Sequence, residues 1–149
     1  MTTTNDAEIG YLEIIDKDEC FELLKYPEIG RLGFHDGTKI VVFPVNYTLV
    51  NHTIVFLTGP GAKVEAARRR KEATFEVDEI DGNFREGWSV MVFGKLGHYQ
   101  TLSAPSDATQ YTCRPWARGV KPYALAVEPV TMTGRRISHG PMPDTPWQI

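Results

Sequence analysis

Ile29-Gly30-Arg31-Leu32-Gly33-Phe34-His35, then Asp36-Gly37, then Lys39-Ile40-Val41-Val42-Phe43-Pro44-Val45-Asn46-Tyr47 is the stretch whose reading decides the fold. After a second turn around Asn51-His52 it runs on into Thr53-Ile54-Val55-Phe56-Leu57-Thr58. β-branched and aromatic residues fill each run, as strands favour. Asp-Gly between two such runs signals a two-residue type I′ hairpin turn, whose central residues both need positive φ. Three consecutive antiparallel strands are therefore expected.

Working outward, Gly59-Pro60-Gly61 breaks the third strand, and Ala62–Arg70 reads as a helix. Val64, Ala67 and Lys71 share one of its faces, and Arg68, Arg69 and Arg70 mark its C-terminal turn, where cations are favoured. Glu72–Asp78 alternates as a strand, Asp81–Glu86 is a polar loop, and Gly87–Tyr99 is a long strand. Gly94 and Gly97 suggest a bulge or bend of the kind barrel closure requires. Ser106–Thr112 reads as a short helix and Tyr123–Ile137 as the last strands. Upstream, Asp16 caps a short helix whose Glu19 is placed to reach back in a capping box. Cys20, Leu23 and Leu24 form its apolar face, and Pro27 closes it. The expected fold is mainly β: a six-stranded antiparallel split β-barrel with short helices attached. The domain is expected to occupy residues 11–137. A loose polar segment (1–10) precedes it, and an extended Pro-rich tail (138–149) follows.

At 149 residues, 42% hydrophobic, the chain suits one domain with a real core. A net charge of −3 speaks against nucleic-acid binding. Yet Lys63, Arg68, Arg69, Arg70 and Lys71 cluster, which suits a small anionic ligand. No apolar run approaches a membrane span, and no secretion signal opens the chain. A cytoplasmic protein with free thiols at Cys20 and Cys113 is the default expectation.

Thr58-Gly59-Pro60-Gly61-Ala62-Lys63 carries the clearest chemistry. A strand ends in a hydroxyl, two glycines allow close backbone approach, and a helix start presents amides beside a lysine. A phosphate monoester needs these features together. The plainer reading is a tight strand-to-helix turn with a solvated lysine. The segment is not a Walker A loop, because Gly61 is followed by Ala62-Lys63-Val64.

The order of segments weighs on that choice. Gly30-Arg31-Leu32, Pro44-Val45-Asn46-Tyr47, Phe56-Leu57-Thr58 with Gly61 and Lys63, Phe75-Glu76-Val77-Asp78, and Gly87-Trp88-Ser89-Val90 with Val92 and Gly94 follow one another at sensible gaps. This succession resembles the pyridoxamine 5′-phosphate oxidase-like family of FMN-binding split barrels, in particular its small actinobacterial-type members. The resemblance covers about Asp16 to Ile137, closing on Gly134-Arg135-Arg136-Ile137. It implies a homodimer with two cofactor sites at the subunit interface. It implies that Thr58 and Lys63, with the backbone amides of Gly61 and Ala62, contact the phosphate, and that Phe56 and Val64 also bind the cofactor. It places Pro44, Val45, Asn46 and Tyr47 along the ring system, with Trp88 and Ser89 from the long strand. Trp116, with Arg118, would be added by the second subunit. The chain lacks the extended C-terminal region of the vitamin B6 oxidases, so B6 oxidation is not expected.

The resemblance thus implies a flavin-dependent oxidoreductase acting on a small planar substrate. The cofactor would be FMN, or alternatively the deazaflavin coenzyme (F-420) or haem. Catalytic side chains are not identified, since the cofactor would carry the chemistry. The alternatives are a flavin or haem carrier without turnover, and a split barrel without cofactor. The histidines at 35, 52, 98 and 139 show no metal-ligand spacing, although His35 or His98 could face a pocket. His52 is expected to be solvated in its turn.

Overall fold

The computed structural model of the chain describes residues 10–99, 119 and 121–139. Its elements are β1 (Tyr11–Ile15), α1 (Lys17–Leu24), β2 (Ile29–His35), β3 (Ile40–Val50), β4 (Thr53–Thr58), α2 (Ala62–Arg68), β5 (Glu72–Asp81), β6 (Glu86–His98) and β7 (Tyr123–Ser138). The helix expected at Ser106–Thr112, with Cys113, Trp116 and Arg118, lies outside the described residues. So do residues 1–9 and 140–149.

All strand pairs are antiparallel. The order β7-β4-β3-β2-β5-β6 closes on itself because β6 also pairs with β7, giving a six-stranded barrel. The expected mainly β split barrel is the fold observed. A seventh strand, β1, lies against the end of β7, with Leu12 opposite Ile137. The sequence reading passed over it because five residues carry little periodic signal. The last strands expected from Tyr123 onward are one strand of 16 residues.

Both early turns form, but the turn chemistry differs from expectation. Type I′ geometry belongs to Asn51-His52, with φ of 47° and 65°, between the paired Val50 and Thr53. The Asp36-Gly37 loop spans four residues, since His35 pairs with Ile40. There the Asp36 carboxylate accepts from the amides of Thr38 and Lys39 at 2.8 and 2.9 Å, and these bonds hold its pKa well below the usual range. Asp36 thus shapes the loop through its side chain. His52 is exposed, as expected, yet its ring stacks on Phe21 at 4.0 Å.

Half of the expected capping box exists. The Glu19 amide donates to the Asp16 carboxylate at 2.8 Å. The Glu19 side chain does not return the bond, because it pairs with Arg136 on β7, which also reaches Glu13 on β1. A cross-element ion pair replaced the local one and fastens α1 to the barrel end.

Inside the barrel Leu32, Phe75, Val77, Val90, Val92, Leu96, Leu125 and Val127 are fully shielded from water. They alternate with outward residues, as strands require. The expected bulge lies between Phe93 and Gly94, where β7 pairs Thr131 and Pro129 and skips Val130. Gly94 is needed there, because a Cβ would collide with the Glu128 carbonyl. Pro129, which has no N–H to give, sits where the ladder is already broken.

Candidate functional site

The barrel opens between β3 and β4. Their register begins at Val50–Thr53 and stops at Tyr47–Phe56. Beyond that point, Phe43 to Val45 on β3 keep β2 as their ladder neighbour, while β4 continues along β7 to Thr58, which pairs with Tyr123. The chain then turns through Gly61 into α2. Gly61 has φ 148° and ψ −156°, a conformation open to glycine. A Cβ there would meet nothing within 4 Å, so the backbone faces open space.

Lys63 swings across the opening. Its Nζ lies 4.3 Å from the centroid of the Phe43 ring. Burial, and then the charge of Lys121, push its pKa below the ordinary lysine range. Lys121 stands two positions before Tyr123, the partner of Thr58, so register brings it to the same mouth. Among the described residues neither lysine has a carboxylate within ion-pair distance. Two cations therefore face one half-buried space, an arrangement that an anion relieves. Buried Thr58 lies at its edge, its hydroxyl donating to the Gly59 carbonyl at 3.1 Å. A phosphate group fits these residues. α2 has seven residues, so the weight rests on the lysines rather than on a helix dipole.

The structure thus gathers Thr58, Gly61, Ala62 and Lys63 opposite Pro44 and Val45. Several expected contacts change character. Tyr47 is buried, stands edge-on to Phe75 at 5.0 Å and donates its hydroxyl to the Leu24 carbonyl at 2.7 Å. Its ring belongs to the core, and burial raises its pKa. Phe56 is wholly buried and Val64 packs on the same core, so both support the mouth from below. The Asn46 amide donates to the Glu28 carbonyl at 3.4 Å.

Trp88 and Ser89 do not join this mouth within one chain. Along β7, Thr58 faces Tyr123 while Trp88 faces Arg136, thirteen positions further on. That is about 40 Å of strand path. Trp88 donates to Glu79 at 3.3 Å, and with Ser89, Arg135, Ile80 and Leu12 it lines a separate hollow of about 440 Å³. A larger groove of about 870 Å³ crosses the outer sheet face, with Arg31, Gly33, Ile40, Val42, Phe93 and Val130 among its residues. His35 accepts from the Gly37 amide at 3.0 Å and serves its turn. His98 lies exposed beside Tyr123, with ring centroids 6.5 Å apart. No cluster of three or more metal-ligating side chains occurs among the described residues. No helix among them is long and apolar enough to cross a membrane. Phe43 and Lys121 are the mouth residues that sequence reasoning missed. Pairing Thr58 with the strand start at Tyr123 would have pointed to Lys121.

Residues 16–136 match the family model described as pyridoxamine 5′-phosphate oxidase. The chain belongs to this family. An uncharacterized protein of Mycobacterium tuberculosis is 31% identical over 130 residues, covering 83% of this chain and 84% of its own. The structure of an FAD-binding protein from Mycobacterium smegmatis is 28% identical, with a TM-score of 0.67, covering 85% of this chain and all of that one. A second Mycobacterium smegmatis structure, of an FAD- and haem-binding protein, shares the fold at 15% identity and a TM-score of 0.61, covering 90% of this chain and 76% of that one. Within the family match lie the β3–β4 mouth and both of its ends, Pro44–Tyr47 and Thr58–Lys63.

Proposed function

We propose that this member of the pyridoxamine 5′-phosphate oxidase family binds a flavin nucleotide at the β3–β4 mouth and works as an oxidoreductase on a small planar substrate. The observation that carries this reading is the pair Lys63 and Lys121, facing one half-buried space with no carboxylate among the described residues within ion-pair distance of either. The FAD binders of the same fold support the flavin over other phosphate esters. When bound, a flavin supplies the hydride or electron transfer. This chain's residues supply the rest. Lys63 and Lys121 hold the phosphate, the Gly61 backbone leaves room for it, and Thr58 turns its hydroxyl from Gly59 to a phosphate oxygen. The backbone of β3 from Phe43 to Val45 forms the wall against which the ring system lies.

The functional unit in this reading is a homodimer. Trp88 and Ser89, remote from Lys63 within one chain, would approach the mouth of the partner subunit. The exposed side chains of Ile40, Val42 and Val130 offer an apolar surface for that association. The test is a titration of FMN into the wild type and Lys63→Ala, followed by flavin fluorescence. The variant is expected to bind about 1.5–3 kcal/mol more weakly, the range for a hydrogen bond to a charged group. Equal affinity would move the phosphate elsewhere.

A further inference from the structure

Three arginines end α2, and the structure separates them. Glu65 takes Arg68 at 2.7 Å through both carboxylate oxygens and Arg69 at 2.9 Å. Arg70 has no acidic partner among the described residues. It occupies the left-handed region at φ 53°, in a helix end where the Lys71 amide bonds to the Ala66 carbonyl and the Arg70 amide to that of Ala67. Glycine is the favoured residue for that position, because a Cβ strains it. Arginine stands there instead, and its guanidinium lies on the Gly97 backbone. A Cβ at 97 would collide with its Nη1. Gly97 is buried, in a row with Ala126 and Val55 across three strands.

We propose that Arg70, held over Gly97, is a second anion-binding point that fits the site to a flavin dinucleotide over a mononucleotide. The inference rests on the flavin reading above. Lys63 and Arg70 stand at opposite ends of α2, about 10 Å apart along the helix axis. A mononucleotide phosphate engages the Lys63 end. A ligand that continues past its first phosphate carries further charge along α2 toward Arg70, whose planar fork matches phosphate oxygens. Glu65 neutralises Arg68 and Arg69, whereas Arg70 has no acidic partner among the described residues and rests its guanidinium over Gly97.

Two variants test it. Arg70→Gly removes the cation and relieves the backbone, so it should melt no lower than the wild type. Gly97→Ala leaves Arg70 in the sequence but evicts its guanidinium, which is flexible enough to move aside. FAD and FMN are titrated separately into the wild type and both variants. Both variants should lose about tenfold or more in FAD affinity, as expected for one charge-assisted contact, with FMN affinity held within about twofold. Unchanged FAD affinity, or an equal loss for both ligands, overturns the Arg70 assignment and leaves the flavin reading standing. A wild type that binds neither nucleotide overturns both.

Discussion

Lys63 sits where two effects act against its charge: partial burial and the neighbouring Lys121. Its pKa in the free chain is therefore below that of an ordinary lysine. A bound phosphate favours the charged form, so binding draws a proton wherever the free lysine has begun to lose one. Affinity should be full while Lys63 is charged and should fall as pH rises through its depressed pKa. Lys63→Arg keeps its charge to far higher pH, so its affinity should stay level across about pH 7–10 while the wild type declines. FMN titrations across that range check this, and parallel profiles would remove Lys63 from the phosphate. Thr58, Gly61 and Lys63 were legible in the sequence because they are contiguous and chemically distinctive. Phe43 and Lys121 were not, because only the parting of β3 from β4 and the Thr58–Tyr123 register bring them to Lys63.

Among the elements, α1 shows how a local signal can be half right. Asp16 does cap the helix, through the Glu19 amide at 2.8 Å. Asp16→Ala should cost about 1 kcal/mol, seen as a melting point roughly 2–4 °C lower. An unchanged melt would mean that the Arg136–Glu19 pair already holds α1 without its cap. That pair was beyond the sequence's reach, because its partners lie 117 residues apart. The turns teach the same lesson. Asp-Gly marked a hairpin correctly, yet its geometry came from the Asp36 carboxylate, while Asn51-His52 took the type I′ conformation. Composition located both turns, and the strand registers chose their types. The one-residue skip at Val130 also follows from register, with Gly94 as its only local sign.

At the scale of the whole molecule, closure of six strands sets the two halves of the expected site at different ends of β7. The proposed homodimer reunites them across subunits. Mixing therefore offers a specific outcome. Lys63→Ala and Trp88→Ala chains, each weak alone, should regain about a quarter of the flavin sites after equal amounts are unfolded and refolded together, because about half of the dimers are mixed and each mixed dimer holds one intact site of its two. No recovery would place both residues in one chain's site or neither in any. The order of motifs made the barrel and family legible from sequence, whereas the distance between Lys63 and Trp88 required the sheet. The central claim, that the β3–β4 mouth grips a flavin by its phosphate, is tested most directly by comparing FMN with riboflavin, which lacks the phosphate, on the wild-type chain by fluorescence titration. The account predicts that FMN binds at least about tenfold more tightly. Equal affinity for the two, or binding of neither, would contradict it.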